Sequence, residues 1–187
     1  MASNWRVNKR VVVAGFVLFA LAFVACGSSE PAAPLERVVD NDRYFVIEDL
    51  KAVGMKASKQ YDVAELPFGE DAWYGFIQTD NGPLDIEVRF YASHFDAIEF
   101  GTDLAEEVSG DDADIDEDTT TWPVGNKDRQ RMRSGGSSDL SAWSGKRGPN
   151  YADFVIYGNM VLLCQGDEPE ISIETCYELI DALIGDE

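Results

Sequence analysis

Histidine occurs once in this chain, as His94, and cysteine three times, as Cys26, Cys164 and Cys176. So few soft ligands leave no basis for a zinc centre, and no metal or other cofactor is expected. A Gly-x-Ser-x-Gly nucleophile elbow is absent. Ser134–Ser138, Ser-Gly-Gly-Ser-Ser, is linker-like and is neither a phosphate loop nor a dinucleotide fingerprint. Basic residues are also scarce, 15 against 35 acidic, which gives a net charge of −20. A field of that sign repels nucleic acid and anionic headgroups, so no nucleic-acid partner is expected. No long membrane span is evident either: the uncharged run Val11–Cys26 is shorter than the about 20 apolar residues a crossing helix needs.

What the N-terminus does contain is a basic start, Arg6, Lys9 and Arg10, then that short apolar core, then small residues. This order describes a secretory signal peptide. Phe23-Val24-Ala25-Cys26 resembles the lipobox of bacterial lipoproteins, with Phe23 standing where an aliphatic residue is usual. The resemblance covers residues 1–26 only. It implies cleavage before Cys26, a lipid on that cysteine, and an exported protein held on a bacterial cell membrane, facing the periplasm or the cell exterior. Ordinary cleavage after Gly27 and an uncleaved anchor are the alternatives. Gly-Ser-Ser-Glu-Pro-Ala-Ala-Pro then forms a flexible stretch. The expected organisation is a signal peptide over 1–25, a tether over 26–39 and one domain over 40–187.

If Cys26 carries lipid, an even pair remains, Cys164 and Cys176, in a compartment where disulfides persist. Cys164 closes an apolar strand-like run, and Cys176 lies among Ile173, Ile180 and Leu183 in a helix-like segment. A strand end and the next helix can come within bonding reach; two reduced cysteines packed as small hydrophobes are the alternative.

Periodicity predicts a first helix over 40–53, closed by Gly54, and a hairpin of 71–79 with 84–91 around Asp80-Asn81-Gly82-Pro83. In its second strand Leu84, Ile86, Val88 and Phe90 alternate with Asp85, Glu87, Arg89 and Tyr91, which predicts one buried and one wet face. A second helix over 93–108 starts on a Ser93/Asp96 capping box. Residues 119–124 and 129–133 are read as a further hairpin around Gly125-Asn126. Residues 151–157 and 160–164 form another, and a last helix covers 172–184. The fold class expected is α+β: an antiparallel sheet of four or more strands built from hairpins, with about three helices packed on one face.

Two charged stretches lie between the second helix and the last hairpin. Aspartates recur from Asp111 to Asp118, but an EF-hand begun at Asp112 would need Gly where Glu117 stands and Glu where Pro123 stands. A solvated acidic loop follows. Beyond it, Trp122, Arg129, Arg131, Arg133 and Trp143 form the candidate ligand or partner surface, since guanidinium and indole groups suit an anionic small molecule or a protein. The competing expectation is that these arginines neutralise the acidic run while the tryptophans enter the core. Trp73, Tyr74, Phe76, Phe90 and Tyr91 read as cross-strand packing.

The function expected is that of a membrane-anchored extracytoplasmic lipoprotein, a non-catalytic binding, sensing or assembly module attached through Cys26. A structural envelope component is the second reading and an extracytoplasmic hydrolase the third. Trp122, Trp143 and the arginines lining a concave, partly exposed surface would favour binding; burial of the indoles against the acidic run would favour the structural component.

Overall fold

The structure is a computed structural model that describes residues 35–132 and 147–185. Cys26, Arg133 and Trp143, with the signal peptide and most of the tether, lie outside the described residues. Among the described residues of the unit that begins at Pro34, eight strands and three helices follow one another. They are β1 (Val38–Val39), α1 (Ile47–Ala52), β2 (Lys56–Gln60), β3 (Gly69–Thr79), β4 (Gly82–Tyr91), α2 (His94–Glu106), β5 (Gln130–Met132), β6 (Arg147–Pro149), β7 (Tyr151–Tyr157), β8 (Met160–Gln165) and α3 (Pro169–Gly185). Six strands make one sheet in the order β1-β7-β8-β4-β3-β2, and β5 pairs with β6 apart from it. The fold is α+β, as expected.

The two clear hairpins form where turn chemistry places them. Thr79 pairs with Gly82 across Asp80-Asn81, and Gly82 takes the left-handed φ of +117° that the reversal requires. Tyr157 pairs with Met160 across Gly158-Asn159. The hairpins then join through β4 and β8, Val88 opposite Leu162. The sheet is mixed rather than purely antiparallel, because β1 runs parallel to β7.

The helices cover both faces of the sheet, not one. Along β8, Met160, Leu162 and Cys164 pack with Ile47 and Leu50 of α1 and with Cys176, Leu179, Ile180 and Leu183 of α3. Val161 and Leu163 point the other way, into a second cluster with Ala97 and Ala105 of α2. A strand apolar at every position needs cover on each side, and that is the physical reason for the division. α2 comes closest at Gly101, where an added Cβ would stand 2.7 Å from Val161 Cγ2.

The first helix is shorter than predicted. Asn159, buried in the β7–β8 turn, accepts from the Phe45 N–H at 2.7 Å and donates to its carbonyl at 3.1 Å. Those are the backbone groups a helix through Phe45 would have used. α1 therefore starts only at Ile47, where the Asp49 carboxylate accepts from Val46 N–H at 2.9 Å, and it ends at Ala52, with Val53 as its cap and Gly54, φ +110°, beyond. The edge strand β2, missed in the sequence, is short of apolar residues and carries Lys56 and Lys59, which guard it against further pairing.

α2 starts as its capping box requires: Ser93 Oγ accepts from Asp96 N–H at 3.1 Å. The predicted hairpin of 119–124 with 129–133 is not formed. β5 pairs with β6 instead, and residues 110–129 run as a chain of turns across the α2 side of the sheet. Cys164 and Cys176 are joined in a disulfide, Cα atoms 5.4 Å apart, tying β8 to α3. Among the described residues no helix is long and apolar enough to cross a membrane.

One backbone position is out of place for its residue. Gly69 N–H donates to the Leu66 carbonyl at 3.1 Å, closing a turn whose third residue, Phe68, has φ +55°. Pro67 suits the second position of such a turn, but the third favours Gly or Asn. A phenylalanine held there costs of order 1–3 kcal/mol.

Candidate functional site

Strand alternation dictates what lies on the α2 side of β4. Ile86, Val88 and Phe90 enter the core beneath α1 and α3, so Glu87, Arg89 and Tyr91 must face the other way. That face was expected to be wet. It is closed instead by the turns of 110–129, and Glu87, Arg89 and Tyr91 are all fully buried. The reason is Trp122, which inserts 1% exposed among Tyr61, Leu66, Ala72 and Leu104 and carries its neighbours over the sheet.

Under Trp122 the buried charges pair. Arg129 Nε donates to Glu87 Oε2 at 2.7 Å, and its Nη2 donates to Oε1 at 2.9 Å. Arg89 Nε donates to the same Oε1 at 2.8 Å. Arg129 Nη1 donates to the Trp122 carbonyl at 3.0 Å and to Asn126 Oδ1 at 2.8 Å. Both guanidinium carbons stand over the indole ring, 5.0 Å away for Arg89 and 4.9 Å for Arg129. The far end of the Arg89 guanidinium is left to weaker attractions, the π face of Trp122 and the Tyr91 hydroxyl.

The electrostatics follow from this geometry. Burial alone would raise the Glu87 carboxyl, but Arg129 and Arg89 overcome it and hold it below the usual carboxylate range. Burial would lower Arg129, and Glu87 more than offsets that. Burial first, then the Glu87 charge, raises Tyr61 and Tyr151 far above an ordinary phenol.

A rim of hydrogen bonds secures the covering turns. Tyr61 Oη donates to Asp128 Oδ2 at 2.8 Å, which also takes Lys59 Nζ at 3.0 Å. Glu107 Oε1 accepts from the Thr121 N–H and hydroxyl at 2.9 and 2.8 Å. Asn126 Nδ2 donates to Thr120 Oγ1 at 2.8 Å. Gly125, φ +91°, lies so close to Tyr61 that a Cβ there would meet the ring at 2.7 Å.

Chemically, this cluster holds charge in place. Both Glu87 oxygens are taken by guanidinium donors and are out of reach of solvent. A carboxylate so occupied neither accepts a substrate proton nor attacks an electrophile. It is a lock between β4 and the 110–129 turns, built across 42 positions of sequence.

Of the expected Trp/Arg surface, Trp122 and Arg129 are therefore buried parts of the lock, not a surface. Arg131, half-buried, pairs with Asp167. Among the described residues Lys127 contributes to neutralising the acidic run, its Nζ 3.5 Å from Glu117. The acidic run largely caps itself: Asp114 accepts from Thr119 Oγ1 at 2.8 Å and from Asp116 N–H at 3.1 Å. Among the described residues no group of three or more His, Cys, Asp or Glu is placed to hold a metal. An open concavity of about 490 Å³ lies between this run and the β5–β6 pair, lined by Asp116, Glu117, Asp118, Lys127 and Arg147 among others. His94 opens α2 with Nδ1 2.7 Å from the Gly158 carbonyl, a structural contact.

Sequence reasoning missed Glu87, Arg89, Tyr61 and Asn126. No local signal pointed to them, because Asp128 and the acidic run 111–118 offered Arg129 nearer counter-charges than Glu87.

Residues 46–185 match the model of a family described as a family of unknown function (DUF6810). No curated protein and no solved structure gives a significant match.

Proposed function

The chain belongs to this family of unknown function, and we propose that it is an exported, lipid-anchored domain that works by non-catalytic contact with a partner at its outer surface. The observation that carries the reading is the Cys164–Cys176 disulfide. It accounts for two of the three cysteines and leaves Cys26 as the odd one, at the end of the lipobox-like stretch. A disulfide is at home outside the cytoplasm, which is where such a signal would deliver the chain. The occupied oxygens of Glu87 speak for contact rather than catalysis at the main charged cluster.

The test is the intact mass of protein from the membrane fraction. The reading expects loss of residues 1–25 and added acyl mass on Cys26, and release of a Cys26→Ser variant from the membrane. An unprocessed N-terminus, or a Cys26→Ser variant that stays bound, contradicts it.

Burial of Trp122 favours a second reading, a structural envelope component whose Trp/Arg segment serves only its own packing. That reading expects the same anchoring but no saturable partner.

A further inference from the structure

Phe68 occupies a left-handed backbone position and does not bury its ring in return. The ring is 67% exposed and stacks on Phe100 of α2, centroids 3.9 Å apart and planes 21° from parallel. Backbone strain of this kind clusters at functional sites, and contiguous exposed apolar surface marks sites of contact. Asp96, Phe100 and Asp103 recur four and three residues apart, on one side of α2. Glu99 and Phe95, itself 69% exposed, follow on the adjoining stripe. The helix has no Lys or Arg.

From this we infer that the Phe68–Phe100 stack, rimmed by Asp96, Glu99 and Asp103, is a docking surface for a cationic amphipathic segment of a partner protein. Apolar side chains of that segment lie on the two rings and its Lys or Arg groups meet the acidic rim. Charge selects this occupant. A second copy of a chain of net charge −20, or an anionic lipid surface, would set like charge against like. The rings supply affinity, and the rim supplies encounter rate and salt dependence. The inference rests on the reading of the domain as a contact module and is independent of how it is anchored.

The experiment titrates the full chain, in neutral detergent, into fluorescein-labelled peptides and follows anisotropy. One peptide alternates Lys and Leu, a second Glu and Leu, a third Lys and Gly. The Lys/Leu peptide binds, the Glu/Leu peptide does not, and the Lys/Gly peptide binds at least about tenfold more weakly. Phe68→Asn weakens Lys/Leu binding by about tenfold without lowering Tm, since Asn accepts the left-handed position; Phe68→Gly is the second variant should Asn fail to fold. Asp103→Asn flattens the salt dependence, and Ile171→Asn, exposed on α3, changes nothing. Lys/Leu binding as tight in both Phe68 variants as in the native chain overturns the ridge and leaves the contact reading standing. No saturable binding of any peptide counts against both. A dimer that Phe68→Asn dissolves, or Phe68-dependent partition into zwitterionic nanodiscs, overturns the proposal in favour of a second copy or of lipid.

Discussion

Arg129 grips Glu87 with two parallel hydrogen bonds, 2.7 and 2.9 Å, and both side chains are fully buried. This ion pair joins the covering turns to the sheet at the centre of the domain. A buried ion pair is not in itself a large source of stability, because desolvating two charges offsets their attraction. Its force is conditional: once formed, neither partner can be removed cheaply.

Glu87→Gln should therefore destabilise the domain by about 3–5 kcal/mol, because two guanidinium groups would stay buried with no counter-charge. Urea unfolding with far-ultraviolet circular dichroism measures it. A loss below about 1 kcal/mol would mean that water reaches the cluster.

The pH dependence has a definite sign. Glu87 and Asp114 lie below their ordinary values of 4.5 and 3.8, Glu87 through Arg129 and Arg89 against burial, Asp114 through its bond to Thr119. A carboxylate depressed on folding contributes stability above its unfolded value and loses it as pH falls through the folded one. The urea midpoint should be level down to about pH 5 and then fall. Glu87→Gln lacks the Glu87 share of that slope, so its gap from the native chain should narrow below pH 4.5. A gap that stays constant to low pH would put the acid sensitivity elsewhere.

The disulfide closes a short loop, with a sequence separation of 12. In the chain-entropy account, losing a cross-link of that span costs about 3 kcal/mol. Unfolding with and without reductant should differ by roughly that amount, and alkylation of the unreduced protein under denaturing conditions should label neither Cys164 nor Cys176.

Gly125→Ala meets two penalties, a left-handed backbone and a Cβ 2.7 Å from Tyr61. It should cost about 1–3 kcal/mol and loosen the lid over Trp122, seen as a red shift of tryptophan emission. Gly54→Ala, with an equally left-handed φ of +110° but open space around it, should cost less and leave the emission unchanged.

How far the sequence discloses this depends on the range of the forces involved. Asp80-Asn81-Gly82 and Gly158-Asn159 act locally, so both hairpins are legible, as is the Ser93 cap of α2. Setting Cys26 aside leaves an even pair, so the disulfide is legible as one of two alternatives that the structure decides. Burial of Glu87 and Arg89 is another matter: alternation along β4 tells which side chains share a face, not whether a segment 40 residues later will cover it. Trp122 decides that, through tertiary contacts with Tyr61, Leu66 and Leu104. The first helix shows the same limit. Its period runs back to Asp40, but Asn159 claims the backbone of Phe45 from across the domain. The exposure of Phe68 is equally hidden, since Leu-Pro-Phe-Gly reads as an ordinary turn until its φ is known.

Trp122 and Arg129 form an internal lock rather than a contact surface. A double-mutant cycle on Glu87 and Arg129 tests it most directly, with Glu87→Leu, Arg129→Met and the pair together followed by urea unfolding. The lock predicts that each single change is severe, that the double change is milder than their sum, and that the coupling reaches at least about 2 kcal/mol. Two small and additive losses would contradict it.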